Sequence, residues 1–91
     1  MIDREEIKTR YEATWQSYLR CEAIVRKLDE REEALASQLF EALESGQDEL
    51  ELTREWGRTT CILEMARERL ESIRAEHLET GRLLDETNPS K

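Results

Sequence analysis

The amino-acid sequence predicts an all-α fold, a long antiparallel two-helix hairpin of coiled-coil type, on three observations. Glu, Arg, Leu and Ala dominate the 91 residues, and turn-forming residues are sparse. That composition favours helix, because straight-chain side chains lose little rotamer freedom there. One strong interruption, Ser45-Gly46-Gln47-Asp48, divides the chain. On both sides of it apolar residues recur in alternating steps of four and three, the spacing that returns to one helix face.

Helix 1 is expected from about Asp3 to Glu44. Its seam runs Ile7, Tyr11, Thr14, Tyr18, Cys21, Val25, Leu28, Glu32, Leu35, Leu39 and Ala42, with Glu32 the single charge. The turn follows at 45–48. Gly46 can take the left-handed conformation that ends a helix, and Asp48 with Glu51 three residues on has the form of a capping box. Helix 2 is expected from about Asp48 to Glu86, with a seam of Leu52, Trp56, Thr59, Leu63, Ala66, Leu70, Ile73, His77, Thr80 and Leu84. Asn88-Pro89-Ser90-Lys91 cannot continue it and is expected to fray. Residues 1–87 therefore read as a single helical domain.

A connection this short makes the helices antiparallel neighbours. Folding the seams about Ser45-Gly46 pairs Thr14 with His77, Cys21 with Leu70, Leu28 with Leu63, Glu32 with Thr59 and Leu35 with Trp56. Polar seam residues then meet polar partners, which matters because a buried polar group without a hydrogen bond costs about 1–3 kcal/mol. A slip of one heptad would set Glu32 against Ala66 and His77 against Cys21.

The seam of a lone hairpin is shielded on one side only, and small cores of this kind usually need a partner. One flank supplies a contact face. Trp15, Leu19, Ala36, Phe40 and Leu43 lie beside the seam of helix 1, and Leu50, Gly57, Thr60, Leu78 and Gly81 beside that of helix 2. The expected anchors are Trp15, Leu19 and Leu78 near the termini and Phe40, Leu43 and Leu50 near the turn, with charged residues between them. The opposite flank is mostly polar despite Ile24, Ile62 and Leu83. Two copies joined through the apolar flank would form a homodimeric four-helix bundle. The plainer alternative is that Trp15, Phe40 and Leu78 fold over the hairpin's own seam.

The charge is unevenly placed. Residues 29–55 hold ten acidic and two basic side chains, whereas residues 1–28 sum to +1 and residues 56–91 to −1, so the whole net charge of −8 lies in the turn-side segment. Glu41, Glu44, Asp48, Glu49, Glu51 and Glu55 form an acidic tip that can favour a helix N-terminus or steer the protein toward a basic surface. This balance opposes direct contact with nucleic acid, and no stretch approaches the ~18 apolar residues of a membrane helix. The first residues lack the basic head and apolar run of a signal peptide, and two cysteines in a reducing compartment read as thiols, so a cytoplasmic protein is expected.

Chemical signatures are missing. His77 follows Arg74 by three positions, so the Glu-x-x-His element of di-iron bundles is absent, and there is no phosphate-binding glycine loop, paired metal cysteines or nucleophile elbow. Neither a catalytic site, a metal, a cofactor nor a small-molecule substrate is expected. Trp56-Gly57 lacks the middle residue of the Trp-x-Gly turn of small secreted hairpins and lies inside helix 2, so that family is not indicated. The sequence points to a non-enzymatic protein–protein interaction module, an adaptor or regulator. Two other functions fit the same features: an acidic inhibitor occupying a basic nucleic-acid-binding site on a target protein, and a co-chaperone for a secretion or assembly partner.

Overall fold

The computed structural model describes residues 3–87 and contains two helices, α1 (Arg4–Ser45) and α2 (Leu50–Glu86), with no strand among the described residues. They form an antiparallel hairpin, as the heptad spacing predicts. The 88–91 tail lies outside the described residues.

Local chemistry sets the helix limits. At the start of α1 the Asp3 carboxylate accepts the Glu5 N–H at 3.2 Å, and the Asp3 carbonyl accepts the Ile7 N–H. This N-cap satisfies donors that have no partner inside the helix, and Glu5 and Glu6 in the first turn suit its positive end. At the other end Gly46 has φ +72°, with its N–H donating to Leu43 O and the Gln47 N–H donating to Ala42 O at 3.0 Å. These two bonds make a Schellman motif, which carries α1 through Ser45. Asp48 then accepts the Leu50 N–H at 3.1 Å from outside α2, so the helix begins at Leu50, two residues later than the sequence suggests. Glu51 faces Arg54 at 3.6 Å. At the end of α2 the Thr87 N–H and hydroxyl donate to the Leu83 and Leu84 carbonyls.

Each helix contributes to two compact units. The terminal unit comprises Met1–Glu22 and Glu68–Lys91. Its interior holds Ile7, Thr14 and Cys21 from α1 against Ile73 and Thr80 from α2, with Tyr11, Tyr18, Leu70, His77 and Leu84 half-buried. Gly81 lies beneath Tyr11, since a Cβ there would stand 3.2 Å from Tyr11 Cε2. The turn unit, Ala23–Arg67, buries Leu35 and Ala42 against Thr59 and Leu63, with Val25, Leu28, Glu32, Leu39, Leu52 and Ala66 half-buried. Ion pairs from Arg31 to Glu55 and from Arg67 to Asp29 cross between the helices of this unit. Every expected seam position is thus at least half-buried except Trp56.

In the terminal unit Arg82 is held by Glu79 and Glu86 on the surface of α2. The hydrogen bond from Arg82 keeps the Glu79 carboxyl below its ordinary value of 4.5 and raises the guanidinium further. Because the folded chain lowers this carboxyl, its small contribution to stability is present above the unfolded value and disappears as pH falls through the folded one. Arg82→Gln is expected to return the Glu79 titration to the ordinary carboxylate range, observable by carbon NMR of the side-chain carboxyl.

Candidate interaction surfaces

Among the described residues the large apolar side chains divide unequally. Ile7, Leu35, Leu63 and Ile73 are buried, whereas Trp15, Leu19, Ile24, Phe40, Leu43, Leu50, Trp56, Ile62, Met65 and Leu78 are exposed. All six expected contact residues are in the second group. The candidate surface is therefore built from residues that remain exposed after the hairpin has formed its interior.

In the terminal unit the seam polar residues support the aromatic ones. Thr14 Oγ1 lies 3.0 Å from the Tyr11 carbonyl, to which it can donate, and 2.8 Å from His77 Nδ1. A hydroxyl has one proton and two lone pairs, so when it donates to Tyr11 O it accepts from Nδ1–H, and when it donates to Nδ1 the imidazole proton sits on Nε2. The Tyr11 ring stacks on His77 at 4.3 Å, Trp15 lies 5.5 Å from His77, and Trp15 stacks on Tyr18 at 5.8 Å. The Thr14–His77 pairing is the one the sequence register gives, and it excludes the one-heptad slip in this unit. Thr14→Val should cost about 1 kcal/mol in urea denaturation, because it removes the partner of the imidazole without changing side-chain volume much. Equal midpoints for the variant and the wild type would count against the role given to Thr14.

Over this aromatic layer opens a shallow groove lined by Trp15, Tyr18, Glu22, Arg74, His77 and Leu78. Trp15 is 44% and Leu78 63% exposed. Trp15 therefore partly covers the seam, as the plainer alternative allows, while Leu78 does not. Leu19 is exposed outside this groove.

The turn unit has a second groove, lined entirely by apolar residues: Ala36, Leu39, Phe40 and Leu43 from α1 and Trp56 from α2. Phe40 is 70% and Leu43 60% exposed, so neither folds back over the seam. Trp56 corrects the sequence reading. Instead of being buried against Leu35 it is 38% exposed and forms the α2 wall of this groove, while Leu50, the expected α2 anchor, is exposed elsewhere. An indole is too large to be enclosed between only two helices, and its edge reaches the flank. The signal was the size of Trp56 at a seam position close to the turn.

One further detail departs from the sequence reading. Glu32 accepts a hydrogen bond from Thr60 at 3.1 Å rather than from Thr59. Thr60 lies on the more open flank, where a carboxylate keeps part of its hydration, whereas Thr59 is buried. Ile24 and Ile62, the apolar residues expected on the flank opposite the anchors, are exposed in the turn unit, and so is Met65.

The acidic residues of the turn unit have several roles. Asp48 caps α2, Glu55 meets Arg31 at 3.4 Å and Glu51 meets Arg54. Glu41, Glu44 and Glu49 make no ion pair among the described residues. Cys21 is buried and Cys61 exposed, both as free thiols. Among the described residues no helix is long and apolar enough to cross a membrane, and no group of three His, Cys, Asp or Glu side chains is arranged to hold a metal ion. The chain matches no protein-family model, no curated protein and no solved structure.

Proposed function

We propose that this chain is a non-enzymatic protein–protein interaction module, an adaptor or regulator, that self-associates through the Trp15 and Leu78 surface and acts in the cytoplasm. The supporting observation is the excess of exposed over buried large apolar side chains. The free thiols of Cys21 and Cys61 suit a reducing compartment.

The test is light scattering coupled to size-exclusion chromatography. A dimer is expected for the wild type, and a folded monomer for the double variant Trp15→Glu, Leu78→Glu. A wild-type monomer at all concentrations, or a dimer indifferent to both substitutions, would remove this assignment of the surface.

A further inference from the structure

We infer that the groove of the turn unit holds a basic amphipathic helix from a different protein. This rests on the interaction-module reading and names the partner chemistry of one of its surfaces. Ala36, Leu39, Phe40 and Leu43 of α1 occupy positions i, i+3, i+4 and i+7, with Trp56 opposite them. That spacing is the pattern by which a helix presents one apolar stripe along its length, and a second amphipathic helix laid beside it satisfies the stripe. The groove offers no polar lining group to fix an extended peptide by its backbone, so side-chain packing must supply the contact.

Charge selects the occupant. From Glu32 to Thr53 the chain carries seven carboxylates and no basic side chain. The bases that flank this stretch, Arg31 and Arg54, already face Glu55 and Glu51 of the same unit. Glu33 and Glu44 lie beside this stripe, roughly 70–90° around α1 from its centre, whereas Glu41 lies on the far side of the helix. A helix with Leu-like anchors and flanking Lys or Arg is therefore attracted at both its apolar and polar surfaces. A second copy is opposed here, because a twofold contact sets each surface against itself and would bring the Glu33 and Glu44 edges of two acidic segments together. Self-association and partner capture thus fall to different units.

The experiment uses the full chain carrying Trp15→Phe, so that Trp56 is the only indole. The probe is a labelled Leu/Lys peptide of roughly 18 residues with leucines at helical spacing, long enough for five turns. A composition-matched scrambled peptide and a Leu/Glu version serve as controls at physiological salt. The helical Leu/Lys peptide is expected to shift Trp56 emission and to bind at least about tenfold more tightly than either control, a difference of ~1.4 kcal/mol. Phe40→Ser with Leu43→Ser should weaken it by about the same factor, with helicity retained because both side chains are largely exposed. Glu33→Gln with Glu44→Gln should weaken it too and lessen its salt dependence.

Equal binding of the scrambled peptide, the behaviour of a pure charge mimic of nucleic acid, would overturn the inference. So would binding indifferent to Phe40→Ser and Leu43→Ser, no binding at all, or loss of the homodimer in that double variant, which would make a second copy the occupant. The two readings separate cleanly. A dimer dissolved by Trp15→Glu and Leu78→Glu with no peptide binding leaves the module and removes the basic helix, whereas a monomer with specific peptide binding does the reverse for self-association.

Discussion

Leu63→Ala is expected to lower stability by about 2–5 kcal/mol, the range for truncating a buried leucine when the surroundings only partly collapse. Leu63 is fully buried, the least exposed residue of the turn unit, and the heptad register sets it level with Leu28. The interior it serves is thin: Leu35, Ala42 and Thr59 are the other buried residues of that unit. Few neighbours can move in to fill a cavity without uncovering themselves. Small domains have little stability to lose, roughly 0.05–0.15 kcal/mol per residue, so the change is a large fraction of the whole. For a domain of this size each kcal/mol shifts the melting midpoint by about 4–8 °C. Thermal denaturation followed by circular dichroism at one protein concentration would measure it, since association couples stability to concentration. Leu50→Ala, the same chemical change at a 52% exposed site, should stay within about 0.5 kcal/mol of the wild type. Equal losses at the two positions would show that Leu63 is not the keystone of that unit.

Gly46→Val should also destabilise, through the backbone. A residue with a Cβ in the left-handed region loses roughly 1–2 kcal/mol, and a β-branched residue is among the least suited to it. There is open space around Gly46, so no clash with a neighbour adds to the effect, and the two Schellman bonds hold the conformation in place. Gly46→Asn should lose less, because asparagine tolerates this region. Gly57→Ala provides the opposite sign. It sits inside α2 with nothing near an added Cβ, so alanine should stabilise by about 0.8–1 kcal/mol from helix propensity alone. At Gly81 the same gain is set against Tyr11, whose ring must shift by a few tenths of an ångström. Urea denaturation of the three single variants should therefore rank Gly57→Ala above Gly81→Ala and both above Gly46→Val. A Gly46→Val protein as stable as the wild type would mean that the turn does not require its left-handed residue.

The heptad seams were legible because helix geometry is local: residues three and four apart share a face whatever lies across from them. Thr14 and His77 could be matched for the same reason, once a tight turn fixed the direction of the second helix. The details that escaped the sequence concern side-chain reach. Glu32 extends past Thr59 to Thr60, and Trp56 protrudes from a seam it was expected to fill. Of the six expected anchors, Trp15 with Leu78 and Phe40 with Leu43 share grooves, while Leu19 and Leu50 do not. A flank assignment identifies which residues leave the seam but not which of them lean together.

By itself the sequence determined the class of this protein: two helices, one break, a polar-tolerant seam and a net charge gathered between residues 29 and 55. Those follow from periodicity, capping chemistry and counting, which need no partner in space. The three-dimensional packing adds that, among the described residues, ten large apolar side chains are left exposed, and that Trp56 joins Phe40 and Leu43 in a wholly apolar groove. The physical reason is that two helices can enclose only the narrow strip between them. Side-chain size and direction then determine what is buried in that strip and what is left for another molecule to cover.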